Sequence, residues 1–237
     1  MRRITRLPYA AVVPAPLPLF PLNTPLVPGL VLPLHIFEPR YRALVEELQA
    51  IPDEDAREFG IIAVRDGHDV ARDGAQALYP VGTATILRQA ERLDDGRYEI
   101  VTTGSRRFRV LEVDDSAPLL RAHVEFLDDI SDTADALVAT QVSRRFGQYR
   151  AALSGQVYDT VVVEDDDELP TDPTVLSYLV TAAMVLPTDE RQRLLAAPTT
   201  EARLVLARSL LTRETALISA LSAVPAIDVP GVEPSAN

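Results

Sequence analysis

The groups in this 237-residue sequence able to move protons, hold metals or bind charge are three histidines, 35 acidic residues and 23 cations, every cation being arginine. Cysteine is absent, which removes thiolate chemistry and disulfides and says little about compartment. The absence of lysine removes more. A P-loop places a lysine on the β- and γ-phosphates of a nucleotide, and a Ser–Lys dyad uses one as its general base; neither can be assembled here. The nucleophile elbow G-x-S-x-G, the dinucleotide fingerprint G-x-G-x-x-G and the zinc signature H-E-x-x-H are also missing. His35 lies in an apolar run and is expected as a packed, hydrogen-bonded core residue rather than a ligand. His68 sits in turn chemistry, and His123 falls on the solvent side of an alternating strand. No two histidines have the i, i+4 spacing of a helical metal site, so neither a metal nor another cofactor is expected.

Charge narrows the partners. A formal net charge of −12 disfavours nucleic acid, whose phosphates must each be met by a cation. Arg106, Arg107, Arg109 and Arg121 form the one basic grouping of the first half, which the solvated face of a sheet explains equally well. Glu164–Glu168 places five acidic residues in succession without the alternating ligands and central glycine of a calcium loop, and reads as a solvated loop. No apolar run approaches the ~18 residues of a membrane span, and prolines break up the start of the chain. A cytoplasmic protein, not bound to membrane, is expected.

The elements that must position any site begin with the stretch from Leu17 to Leu48. Nine of the 19 prolines precede residue 40, stiffening strand ends and turns. Pro28-Gly29 marks a turn, and Leu30–Phe37 is an apolar run bracketed by prolines, expected as a buried strand. Pro39 then fits the first position of a helix. Tyr41, Leu44, Val45 and Leu48 recur at i, i+3, i+4 and i+7 as one apolar stripe, and Ile51-Pro52 closes the element. Arg40 and Arg42 occupy the first turn, against the helix dipole. Two readings stand for this corner. Either Arg42 pairs with Glu38 and Glu46 in a structural network, or Arg40 and Arg42 recognise something. Phe37 and Tyr41 read as core or groove wall, with core the expectation.

Further strands are expected over Gly60–Arg65 and Leu78–Gln89. Asp66-Gly67-His68 and Arg72-Asp73-Gly74 bound a loop between them. A hairpin turn at Asp94-Asp95-Gly96-Arg97 leads to a return strand starting at Tyr98 and Ile100. Phe108 and Val110 alternate with Arg107 and Arg109, and Ala122, Val124 and Phe126 with His123 and Glu125, so one sheet face is buried and one wet. From Asp128 the period changes. Ser131 or Asp132 caps a helix with a stripe from Leu137 to Leu153, ended by Gly155. Asp172-Pro173, Pro187-Thr188 and Pro198-Thr199 open three more, reading together as a small bundle. No internal repeat is evident.

The run LPLFPLN, then PG, then LPLHIFEPRYRALVEEL resembles the opening of the Lon N-terminal domain family, in particular its stand-alone members. Val81-Gly82-Thr83-Ala84, Gly104–Phe108 and Leu176-Ser177-Tyr178-Leu179 extend the similarity over roughly residues 16–215. The resemblance implies an α+β fold, a PUA-like, mostly antiparallel β pseudo-barrel followed by a helical domain; the change of period places these over residues 1–127 and 128–222, and the proline-rich stretch 223–237 is expected as a flexible tail. The resemblance also implies a non-enzymatic module that binds unfolded or exposed polypeptide segments, with a separate protease as a partner, since the ATPase and peptidase parts need the missing lysines. Phe37, Glu38, Arg40, Tyr41 and Arg42 are the candidate binding residues. The alternative is a small-molecule or nucleotide-binding regulator using a groove between the two parts.

Overall fold

A computed structural model describes residues 16–131, 135–154 and 169–222. Among the described residues, six strands occupy the first half: β1 (Leu17–Leu22), β2 (Val31–Ile36), β3 (Glu58–Ala63), β4 (Val81–Arg92), β5 (Tyr98–Asp114) and β6 (Arg121–Leu127). The return strand at Tyr98 and the alternating segment around Phe108 are one 17-residue strand. Its length determines the topology. The first half of β5 carries β2 on one side, its second half carries β6, and β4 runs along the other side. With β3 between β4 and β1, and β1 reaching β6 through Leu17 and Pro18, five strands close on themselves while β2 hangs as an outer edge. Only β1 and β3 are parallel, giving the mostly antiparallel pseudo-barrel of an α+β fold.

Two apolar clusters fill this part. Leu17, Leu19, Ile62, Ala84, Phe108 and Ala122 form one of them. Phe108 fits there because Gly60 and Gly82 lie against its ring; a Cβ at either position would fall 2.8 or 2.5 Å from it. The second cluster receives helix α1 (Pro39–Gln49) through Tyr41, Leu44, Val45 and Leu48, together with Ile36, Phe59, Ile61, Tyr98 and Ile100. Burying those four helix side chains stabilises the fold by about 1.5–3 kcal/mol each. Pro39 stands at the start of α1, as its fixed φ requires. β3 is buried on both faces because each cluster takes alternate residues.

Three expectations are corrected here. The Leu30–Phe37 run is an edge strand, not a buried one: Val31 is 56% and Phe37 61% exposed, and among its residues only Ile36 is buried. His35 is accordingly on the surface rather than in the core, although it is hydrogen-bonded. Arg107 does not face solvent; it is 1% exposed, donating to the Leu195 carbonyl at 3.0 Å and the Asp128 carbonyl at 3.2 Å. In addition, the loop after β3 contains a short helix, α2 (Val70–Asp73), started by the Asp69 side chain accepting from the Ala71 N–H.

The later helices are α3 (Asp135–Ser154), α4 (Pro173–Ala183), α5 (Thr188–Leu195) and α6 (Thr200–Ser222). Asp172 caps α4 through the Thr174 and Val175 N–H groups, with Pro173 following as the sequence predicts. The chain forms two compact units: residues up to Asp128 with Val185–Ala196, and Asp129–Met184 with Ala197 onward. Helix α5, expected in the bundle, therefore belongs with the sheet. Its Gln192 donates to the Val81 carbonyl at 2.8 Å, and Leu194 and Leu195 are fully buried. In the helical unit α6 packs on α3 and α4. Val142, Phe146 and Tyr149 of α3 are buried, whereas Leu137, expected in that stripe, is 74% exposed. Arg203 is wholly buried, donating to Ser177 Oγ at 2.9 Å and Asp129 Oδ1 at 3.0 Å, with its guanidinium 4.1 Å from the Tyr178 ring centroid. Asp132, Gly155, the acidic run and the tail lie outside the described residues.

Candidate binding cleft in the sheet unit

The end of β1, the end of β2, the first turn of α1 and the start of α2 surround an open cleft of about 540 Å³. Each wall follows from local sequence. Phe20, Pro21 and Leu22 close β1, and Asn23 follows as the strand breaks into a bend. Leu34 and His35 come from β2, and Phe37 and Glu38 from the extended link that Pro39 enforces before α1. Arg40 and Tyr41 complete that side, with Val64, His68, Asp69, Val70 and Ala71 opposite. The walls are largely aromatic and aliphatic. Phe20 and Tyr41 pack with ring centroids 4.2 Å apart, and His35 and Phe37 stack at 6.3 Å.

The charged groups of the rim are matched internally. Arg40 binds Glu38 through Nε at 2.9 Å and Nη2 at 2.8 Å, donates to the Pro118 carbonyl and lies over the Tyr41 ring. His35 meets Glu99 through Nδ1 at 2.6 Å and Arg97 through Nε2 at 3.0 Å. Because Arg97 can only donate, Nε2 holds the lone pair and Nδ1 the proton. His68 faces Asp73 at 3.2 Å; a hydrogen bond from Arg72 holds the Asp73 carboxyl well below the usual carboxylate range. Burial pushes the Tyr41 phenol up to about 12, the nearby Arg40 charge opposing and Glu38 adding to the rise. Tyr41 therefore stays a neutral hydroxyl across the physiological range.

Four of the five residues singled out from sequence, Phe37, Glu38, Arg40 and Tyr41, come together here. Arg42 does not. It turns to the hairpin carbonyl of Gly96 at 3.3 Å, and Glu46 accepts instead from the Tyr98 hydroxyl. Phe37 is rim rather than core, because among the described residues no strand lies beyond β2. Tyr41 is 6% exposed yet still lines the cleft. Sequence reasoning missed Phe20, Asn23 and the α2 side; no periodicity marks the far wall of a cleft made from distant segments. The four arginines once grouped as a basic patch are engaged, Arg106 by Glu58, Arg109 by Glu125, Arg121 by Glu47 and Arg107 by main-chain carbonyls. Among the described residues no cluster of His, Asp and Glu is placed to hold a metal ion, and no helix is long and apolar enough to cross a membrane.

The ATP-dependent protease La (LON) substrate-binding domain family matches residues 16–213. Among curated proteins, a Lon protease of Anaeromyxobacter dehalogenans is 30% identical over 209 residues, which cover 85% of this chain and 24% of that protein. Lon protease 2 of Syntrophobacter fumaroxidans is 30% identical over 206 residues, covering 85% and 25%. The chain thus spans about a quarter of the length of these relatives. Among solved structures, a Lon N-terminal domain protein from Xanthomonas campestris superposes with a TM-score of 0.58 at 24% identity, covering 84% of this chain and 98% of that one. The N-terminal domain of a Mycobacterium avium complex Lon protease gives 0.58 at 17% identity, covering 85% and 98%. With the family match running from the first described strand into α6, the chain belongs to the Lon substrate-binding domain family.

Proposed function

We propose that this protein is a non-enzymatic recognition module that binds exposed polypeptide segments in the cleft between β1, β2, α1 and α2. The observation that carries this reading is the apolar wall itself: a cleft of about 540 Å³ with Phe20 and Tyr41 packed together and Phe37 held 61% exposed at its lip. A large aromatic left in water beside a concave apolar surface is a feature of binding sites rather than of cores. The rim charges are neutralised in place, so an occupant is selected by apolar side chains more than by its own charge. Family membership supports the same reading, and delivery of the bound segment to a separate protease is the partnership it implies.

The test is fluorescence anisotropy with a labelled Gly–Ser–Thr–Phe–Thr–Ser–Gly peptide. Wild-type protein is expected to bind it saturably, and Phe37→Ser to bind at least about tenfold more weakly, since aromatic anchors at interfaces are worth ~2 kcal/mol or more. The melting temperature should hardly move, because the ring contributes little to the core. Absence of saturable binding by the wild type, or equal binding by the variant, removes the cleft from this role.

A further inference from the structure

The cleft holds two polar groups that the fold leaves uncommitted. Tyr41 is 6% exposed and lines the cleft, yet its hydroxyl has no hydrogen-bond partner among the described residues. The ring is buried, but the hydroxyl is not among the buried polar atoms sealed from solvent, so an occupant of the cleft can replace water as its partner. The side-chain amide of Asn23 is likewise without a partner among the described residues. Its main chain is held all the same: Thr188 of α5 donates to the Asn23 carbonyl at 3.0 Å, while Arg191 donates to the side-chain hydroxyl of the next residue, Thr24, at 3.2 Å. The remaining polar side chains of the cleft, Glu38, Arg40, His35, His68 and Asp69, are all engaged.

The edge of β2 is not an alternative source of main-chain recognition. Gly104 donates to the Leu30 carbonyl, and the register pairs Leu32 with Thr102 and Leu34 with Ile100. In an antiparallel ladder this puts Val31, Pro33 and His35 among the residues whose backbone faces away from β5. Pro33 has no N–H to offer there, so an added strand would lose its central bond.

From these placements we infer that Tyr41 and Asn23 hold the main chain of an extended segment, the hydroxyl and the amide bonding a backbone carbonyl and N–H beside the residue whose side chain enters the apolar cleft. This rests on the polypeptide-binding reading and specifies its chemistry: the side chain is chosen by the walls, and the backbone by Tyr41 and Asn23. Thr188 is a positioning residue, holding the Asn23 main chain from α5.

The experiment repeats the labelled Gly–Ser–Thr–Phe–Thr–Ser–Gly titration with Tyr41→Phe, with Asn23→Ala, and with peptides N-methylated at the phenylalanine or at its following neighbour. Tyr41→Phe keeps the ring and removes only the oxygen, and Asn23 is exposed, so both variants should melt with the wild type. Each should weaken binding about three- to tenfold, the value of one net hydrogen bond. At least one N-methylated peptide should bind wild type more weakly by a similar factor while the loss shrinks in the matching variant. Thr188→Val should weaken binding in step with Asn23→Ala, and Thr188→Ser should restore it. If wild type binds and both variants bind equally well, the inference is overturned and the apolar cleft stands alone. If wild type binds none of these peptides, both readings fall together.

Discussion

Two arginines, one in each compact unit, are inaccessible to solvent, and they are accommodated differently. Arg107 in the sheet unit meets main-chain carbonyls, including that of Leu195 at the C-terminal end of α5, where the helix dipole favours a cation. Arg203 in the helical unit meets the Asp129 carboxylate, the Ser177 hydroxyl and the face of Tyr178, whose own hydroxyl binds the same carboxylate at 2.6 Å. The first guanidinium grips main-chain carbonyls at two separate points of the chain; the second binds a carboxylate, a hydroxyl and an aromatic face. Removing Arg107 takes the donor from those two carbonyls, and removing Arg203 takes one cation from the Asp129 carboxylate.

That contrast orders the expected effects of substitution, read as unfolding free energies from urea titrations. Arg203→Met should destabilise most, by about 3 kcal/mol, the lower end for a broken buried pair because Asp129 keeps some solvent contact. Arg107→Met should cost about 1–3 kcal/mol, the usual penalty for orphaned main-chain acceptors. An equal or larger loss at Arg107 would overturn that order. Arg40→Gln combined with Arg42→Gln should change stability by only ~0–1 kcal/mol, since Arg40 is in a partly exposed ion pair and Arg42 opposes the dipole of α1. A loss beyond 2 kcal/mol there would make the corner structural after all.

The features legible in the sequence are those that depend on neighbours along the chain. The stripe from Tyr41 to Leu48, the first-position Pro39, the Asp172 cap and the Gly96 hairpin all follow from local spacing and backbone preference, and all are found. The misreadings concern what covers an element. Nothing in Leu30–Phe37 says that no strand lies beyond it, so His35 and Phe37 read as core. Nothing near Arg107 says that α5, some 80 residues later, supplies the carbonyl it needs. The candidate site was half visible for the same reason: Phe37, Glu38, Arg40 and Tyr41 come from one continuous motif, whereas Asn23 and the α2 wall are brought in by the barrel.

The placement of α5 has a topological consequence. The chain leaves the sheet unit after Asp128, returns at Val185, and leaves again after Ala196, so the two units are joined by three covalent crossings rather than one linker. A single cut between them does not produce two independent domains. Cleavage near residue 128 yields a fragment whose barrel still needs α5, and a second fragment that carries α5 away by covalent bonds while its Gln192 and Leu195 contacts bind it back to the first. The nicked protein is therefore expected to stay together as a two-chain complex held by a helix one chain lends to the other. For the same reason a truncated version of this domain must keep α5 to keep the support behind Asn23.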